Sequence, residues 1–462
     1  MGETLSLGQP AFNRSIRVEA RPERVSSDAG FLLGAEALHA SGIIDALSEQ
    51  LHDPRRQDRV DYSLATLLRA FVLMIAQGWG DQSDAERLRA DPLLAMATSE
   101  ARGQAAAGQA LASQPTFARL LDLLARGENQ ALINKAPMTL AGQRLRAANG
   151  GRRVRRLTID IDGLPLLAHG EQPGSAPNGH VGERVHYPLV ASCAETGDLL
   201  GARLRVGNAG PADGIATWLT ELIAQARAEL ADDIQIRLDA GFCDGATLDA
   251  LEAEGVGYVV RLKTNQRLEQ HFAPHRSRGP GRPAESPREW TRETRYAADS
   301  WGHARRVVMV IQEHPAELFR NGFFIVTNLP LSRYSGDDVL AHYRRRGKAE
   351  AHMGELKSLI GESLPCTTTK RCETETEAAF ARNQVLLSLR VLAYQLMHTL
   401  RVPMEQHTGH GWSLRRLRER VLKAAARLQR SGSQLVVILE HRAADDWQRL
   451  WQRLHHSPPA PG

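Results

Sequence analysis

The segment Leu157-Thr158-Ile159-Asp160-Ile161-Asp162-Gly163 reads as an apolar strand that stops on acids. Side chains alternate between the two faces of a strand, so Asp160 and Asp162 project together while Ile159 and Ile161 face the other way. A carboxylate is costly in the middle of a sheet and natural at its rim, where ligands bind. A second such strand, Ile234-Gln235-Ile236-Arg237-Leu238-Asp239, runs straight into Ala240-Gly241-Phe242. One acid at a strand end is commonly a loop cap or an ion-pair partner. Two on neighbouring strands suit a divalent cation, which takes hard oxygen ligands.

Outward from these strands the pattern is α/β. Apolar strands at 157–162, 186–193 and 199–206 come consecutively. A helix at about 213–230, the strand ending on Asp239, a helix at about 245–254 and a strand at 256–261 follow. That order predicts an antiparallel meander at one edge of the sheet, not a doubly wound domain. Residues 265–320 hold a Pro/Gly/Arg-rich loop and β-like segments around Trp290–Tyr296 and Arg305–Ile311, and Phe323–Thr327 returns to the core.

Upstream, Leu64, Leu67, Leu68, Phe71, Val72 and Ile75 recur at helical spacing. Gly78-Trp79-Gly80 stops that helix, and Ser113-Gln114-Pro115-Thr116 opens another. Short helices joined by tight turns fit a helix-turn-helix DNA-binding domain or a plain helical bundle. Downstream, helices are expected over about 337–360, 378–400, 413–430 and 443–454. The third carries Arg415, Arg416, Arg418, Arg420, Lys423, Arg427 and Arg430 against Glu419, as a DNA-contacting face or as a merely solvated one.

With 42% hydrophobic and 24% charged residues in 462, the chain has the composition of a globular protein of several domains. Its net charge of +5 is compatible with a polyanionic partner. The four cysteines, Cys193, Cys243, Cys366 and Cys372, have neither disulfide-framework nor zinc spacing, which leaves free thiols in a reducing cytosol. The first residues lack the basic-then-apolar pattern of a secretory signal, and the longest apolar run, near Phe71–Ala76, is too short to span a bilayer. A cytoplasmic protein with no membrane partner is expected.

Tyr343, Arg346, Glu350 and Lys357 lie at offsets of three, seven and fourteen residues in a helical segment. At roughly 100° per residue, a continuous helix would hold all four within an arc of about 60°. A phenol, a guanidinium, a carboxylate and an ammonium would then face one partner.

This Tyr-x2-Arg-x3-Glu-x6-Lys pattern resembles the signature of the DDE transposases of bacterial insertion sequences. Leu157–Gly163, Tyr187-Pro188-Leu189, Leu204-Arg205-Val206-Gly207-Asn208, Arg237–Phe242 and Val326-Thr327-Asn328-Leu329 resemble the same family, in the same order. Gly78-Trp79-Gly80-Asp81, Leu88-Arg89-Ala90-Asp91-Pro92 and Ser113–Thr116 extend the resemblance, which covers about residues 25–455. It implies an RNase H-like catalytic core with a β-rich insertion, plus an N-terminal all-α DNA-binding domain and C-terminal helices. The expected division is 1–150 for the DNA-binding domain, 151–264 and 321–400 for the core, 265–320 for the insertion and 401–462 for the C-terminal helical region.

Carried over by position, the resemblance implies Asp162, Asp239 and Glu350 as the catalytic, metal-holding triad, with Asp160 as a further metal ligand or as the first acid in place of Asp162. Gly163-Leu164 stands where the family has a Ser/Thr-like pair, which keeps that choice open. Two Mg²⁺ ions, with Mn²⁺ as a substitute, are the implied cofactor. Duplex DNA is the implied partner, both inverted-repeat ends and target, held by a homodimer in a synaptic complex. Tyr343, Arg346 and Lys357 would hold the transposon end, and Arg415 and Arg416 would contact phosphates. Trp301 would stack on an extruded base beside a hairpin intermediate or else lie buried between strands, with Trp290 as a weaker alternative.

Two other readings use the same residues. Asp160-Ile161-Asp162-Gly163 also fits the nucleophile loop of a haloacid dehalogenase-type phosphatase, although the strand meander and the Tyr343–Lys357 segment do not. A non-catalytic DNA-binding regulator would not need all three acids.

Overall fold

The structure, a computed structural model, describes residues 4–21, 23–279, 281, 285–360, 363–366, 373–432 and 434–456, without the side chains of 348–350, 358, 360 and 456. The chain divides into two compact units, one of Leu124–Gln395 and one of Met1–Leu123 with Leu396–Gly462.

The first of these is built on eight strands: β1 (Val154–Gly163), β2 (Leu189–Cys193), β3 (Leu199–Arg203), β4 (Ala231–Leu238), β5 (Gly257–Leu262), β6 (Arg288–Tyr296), β7 (Arg305–Glu313) and β8 (Asn321–Thr327). Their spatial order is β6-β7-β8-β5-β4-β1-β2-β3. β1, β4 and β5 run parallel in the middle, and the flanking pairs are antiparallel. The expected meander is thus β1-β2-β3. Residues 265–320, expected as a β-rich insertion, supply a helix at Gln266–Arg276 and strands β6 and β7, which pair through β8 into the same sheet.

The strand expected over 186–193 is two. Glu183–His186 joins a small sheet with Leu166–Leu167 and Ala176–Asn178, and β2 begins only after Tyr187-Pro188. Pro188 has no N–H for a ladder, and its carbonyl accepts from the Leu164 N–H at 2.9 Å.

Helices cover both faces of the sheet, although β1 and β4 alternate apolar with polar residues. On one face Leu157, Ile159 and Ile161 of β1 and Ile234, Ile236 and Leu238 of β4 share a core with helices α1 (Gly127–Ala148), α2 (Ile215–Glu229) and α3 (Gly245–Ala253). On the other, Val339 and Leu340 of α4 (Gly336–Arg344) pack on Val259, Val308, Val310 and Ile325. Alternation then puts Asp160, Asp162, Arg237, Asp239 and Arg261 on the α4 side.

The helix expected over 337–360 is broken. A capping box of Ser335 and Asp338 opens α4. It ends at Arg344, the Arg346 N–H turns back to the Tyr343 carbonyl at 2.9 Å, and a new helix, α5, runs Gly347–Ile360. A glycine after that tight turn is a poor helix former, so the two segments part there. Tyr343 and Arg346 therefore do not share one helical stripe with Glu350 and Lys357.

In the second unit Leu64–Ala76 is a core helix, buried nearly all round and capped by Ser63, whose hydroxyl accepts from the Thr66 N–H at 3.1 Å. The sequence between 1 and 30 is not all helical, because Leu5–Gly8 pairs with Val18–Ala20. The helix expected over 413–430 is a short α-turn at Leu414–Leu417 that continues as a π-turn over Arg418–Leu422. Ala426–Ser431 is instead a strand, joined to the β-branched Gln434–Leu439 and to Arg24–Ser26. Gly432, at φ +59°, makes the turn. Here tertiary pairing overrides a helix-like composition. Among the described residues no single helix is long and apolar enough to cross a membrane.

Ile236 is fully buried at the centre of β4. Ile236→Ala should lower stability by about 2–5 kcal/mol. Urea unfolding read by circular dichroism checks this, and an unchanged midpoint would contradict burial of this face of the sheet beneath α1, α2 and α3.

Candidate active site

Strand register brings the first two acids together. Asp160 on β1 is the partner of Arg237 on β4, and two residues further along the same parallel pair come Asp162 and Asp239. Each acid is fixed by backbone: Asp162 Oδ1 accepts from the Gly163 N–H at 2.9 Å and Asp239 Oδ1 from the Gly241 N–H at 2.7 Å. Asp239 closes β4 as the cap of the short turn Ala240–Phe242.

Tyr187 lies near both carboxylates. Burial pushes its phenol up, and the negative charges of Asp162 and then Asp239 push it further. The hydroxyl end of the ring lies against Gly163, where an added Cβ would meet it at 2.4 Å. Arg205 braces it from behind, 5.6 Å from the ring centre, with Nε donating to the Tyr187 carbonyl at 3.0 Å.

Cations arrive from the turn after α4 and from β5. The Arg346 guanidinium, 11% exposed, donates to Asp162 Oδ2. The Tyr343 ring packs on the apolar face beneath α4. Burial raises its phenol, against Arg346 and Arg261, while Asp239 adds to the rise. Tyr343 and Arg346 thus reach the two acids although the helix breaks between them and Glu350. Glu350 is on α5, and its side chain lies outside the described residues. Lys357 is half-buried on α5, eleven residues after Arg346.

Asp160 is differently placed. It and Arg237 are each 1% exposed and face each other as two forks, with Nε and Nη2 each 2.7 Å from a carboxylate oxygen. Burial pushes the Asp160 carboxyl up and the fork from Arg237 opposes it. The remaining nitrogen of Arg237 donates to the His342 carbonyl at 2.7 Å, tying both strands to the last turn of α4.

The other expected DNA contacts lie elsewhere. Trp301 is only 8% exposed, edge-on to Tyr296 at 5.5 Å and under the Arg305 guanidinium at 5.1 Å. Trp290 is half-buried beneath Arg320. Arg415, exposed in the second unit, pairs with Glu419 at 2.8 Å, and Arg416 lies 4.3 Å over the Trp412 ring. A second group of metal-type donors, Asp249, Glu252 and His303, comes within reach of one point. Arg305 already bridges the two carboxylates, with Nε 2.8 Å from Glu252, so a cation there would compete with a guanidinium in place.

Sequence reading missed Arg237 and Tyr187. Arg237 carried a signal, because an arginine inside a buried strand needs a buried acid opposite it. Tyr187 carried only its place at the strand break before Pro188.

Arg237→Met would leave Asp160 buried without its partner and should cost about 3–5 kcal/mol, with much of the loss recovered in Asp160→Leu/Arg237→Met. Chemical unfolding of the three variants tests the coupling. His342 supplies a pH test. Burial, then Arg237 and Arg345, holds its imidazole down to about 4, whereas an unfolded histidine takes its proton near 6.5. The unfolded state thus binds the proton first, and stability present above pH 6.5 should fall as pH drops towards 4. His342→Gln should flatten that part of the stability profile.

No curated protein matches the sequence. The structure is similar to that of a piggyBac transposase synaptic complex with hairpin DNA, at 12% identity and a TM-score of 0.39, covering 86% of this chain and 79% of that one. The family model described as Transposase DDE domain group 1 matches residues 8–457. With that match spanning almost the whole sequence and two of the expected acids side by side at adjacent strand ends, the chain belongs to the DDE transposase family.

Proposed function

We infer that this chain is the transposase of a bacterial insertion sequence, which binds terminal inverted repeats, nicks at the transposon end and joins the freed 3′-hydroxyl to target DNA. The observation that carries this reading is the pairing of Asp162 with Asp239 at the rim of two parallel strands, with Arg346 on the first acid. The meander, helix, strand, helix, strand order supports an RNase H-like core.

The donor set fits a hard divalent cation. Asp162 and Asp239 offer carboxylate oxygens on one face, and Asp239 Oδ2 has no protein partner among the described residues. Glu350 would complete the set from α5. Two Mg²⁺ or Mn²⁺ ions held by these carboxylates would supply nucleophile activation and charge neutralisation at the phosphate. The protein's own groups hold the DNA. Arg346 presents a planar fork to a phosphate beside Asp162, and Tyr343 and Arg261 extend the polar wall past Asp239. Lys357, Arg415 and Arg416 add phosphate contacts along the duplex. Trp301 is left out of these contacts, because its ring is enclosed by Tyr296 and Arg305. Excision through a hairpin, a homodimeric synaptic complex and a cytoplasmic location complete the reading.

The phosphatase alternative needs the Asp160–Gly163 carboxylates free in a loop, yet Asp160 is buried within β1 and forked to Arg237.

Asp162→Asn, Asp239→Asn and Glu350→Gln should each lower cleavage of an inverted-repeat duplex by roughly 10²–10³-fold or more, with binding to that duplex retained. A chelator should abolish cleavage, and added Mg²⁺ or Mn²⁺ should restore it. Gel assays decide. Wild-type rates in the Asn variants, or cleavage that persists without divalent ions, would reject the reading.

A further inference from the structure

A basic notch lies in the unit formed by Met1–Leu123 and Leu396–Gly462. It is a surface cavity of about 250 Å³ lined by Arg55, Arg56, Arg59, Tyr62, Thr116 and Arg119. Two of these arginines are held by acids of their own loop. Arg55 forks onto Asp53 at 2.8 and 2.7 Å and reaches the Tyr62 carbonyl at 3.3 Å, while Arg56 reaches Asp58 at 2.8 Å.

Arg59 and Arg119 are different. Both are exposed, and neither has an acid partner among the described residues. Asp61 is the one acid among the lining residues. Arg119 follows Thr116 by three positions on the helix Gln114–Leu124, so hydroxyl and guanidinium share one helix face. The Tyr62 hydroxyl is tied to the Ala110 carbonyl at 2.9 Å, which fixes that wall of the notch.

We propose that this notch binds one backbone phosphate of duplex DNA, clamped between Arg59 and Arg119 with the Thr116 hydroxyl as a further donor. The inference rests on the transposase reading and adds a contact far in sequence from the acids. Two unneutralised planar forks beside a hydroxyl match a tetrahedral oxyanion. Val60 is the one aliphatic residue in the lining, so little apolar surface is offered to a base. The notch opens at the surface, so a continuous polymer can lay a phosphate in it. Such a contact sets the register of the duplex without reading its sequence.

Full-length protein and a fluorescent inverted-repeat duplex provide the test, with binding measured by anisotropy over a salt series. For Arg59→Ala/Arg119→Ala, the slope of log K against log salt should become shallower by about 1, as loss of one phosphate contact requires, with weaker binding to specific and scrambled duplexes alike. Arg59→Lys/Arg119→Lys should keep most of the slope, and thermal melting shows that both variants are folded. A scan of single methylphosphonates should find one position that weakens the wild type and leaves the Ala pair unaffected. Wild-type slope and affinity in the Ala pair, with no such position, would overturn the proposal. A wild type that binds no duplex at all would overturn this and the transposase reading together. Binding that persists while the acid variants cleave normally would overturn only the latter.

Discussion

Asp160 and Arg237 are ionic groups in the interior of a sheet, each 1% exposed. Removing such groups from water costs several kcal/mol per ion, and only good geometry offsets that penalty. Two 2.7 Å bonds between the forks and a third, also 2.7 Å, to the His342 carbonyl supply it. The two bonds to Asp160 lie across β1 and β4 and fix their register. The third leaves the sheet and fixes α4 over both. A slip of one residue between the strands would turn Asp160 and Arg237 to opposite faces, and would carry Asp162 and Asp239 apart with them. The juxtaposition of the two rim acids therefore follows from a pairing made two residues earlier, where no ligand is needed.

The rim itself is electrostatically balanced by groups from four different elements. Asp162 and Asp239 end β1 and β4, Arg261 lies on β5, and Arg346 comes from the turn after α4. Tyr187 and Tyr343 each respond to at least one of the acids. A phosphate placed here would meet a guanidinium already oriented by a carboxylate, so little side-chain ordering is left for the moment of binding. The break between α4 and α5 serves the same end. In a continuous helix Arg346 would be locked to the helical screw, whereas in the turn it faces Asp162 directly.

Much of this was legible because it depends on local pattern. Period-two alternation placed Asp160 and Asp162 on one face, and the order of strands and helices placed an antiparallel meander at one edge of the sheet. What the sequence withheld depends on partners distant in the chain. Nothing between Arg305 and Glu313 says that β7 will pair with β8 and so join the main sheet. Ala426–Ser431 has helix-forming residues and becomes a strand because Gln434–Leu439 and Arg24–Ser26 offer edges to it. The four-residue Tyr343–Lys357 stripe assumed an unbroken helix, and Gly347 after a tight turn was the local signal against it. Trp301 was ambiguous from sequence because an aromatic in a β-hairpin serves equally as core or as platform, and only its neighbours, Tyr296 and Arg305, distinguish the two.

Gly163 links the family pattern to the choice of first acid. The resemblance left Asp160 and Asp162 open because a glycine follows Asp162 where a Ser/Thr-like residue was expected. A side chain there would collide with the Tyr187 ring, 2.4 Å from its Cβ. The departure thus has a steric cause and accompanies a phenol set against the rim, not a displaced acid. At Gly241, beside the second acid, a Cβ would lie 2.9 Å from Pro211 and 3.0 Å from Asp239 Oδ1. Both rim acids are therefore followed closely by a glycine whose missing side chain leaves room for a neighbour, and Asp160 is not. Asp160 has both oxygens engaged by a guanidinium that does not deprotonate in proteins. Turning either oxygen to a cation would strip a buried arginine of its counter-charge, a cost that Asp162, at the edge of the same strand, does not carry.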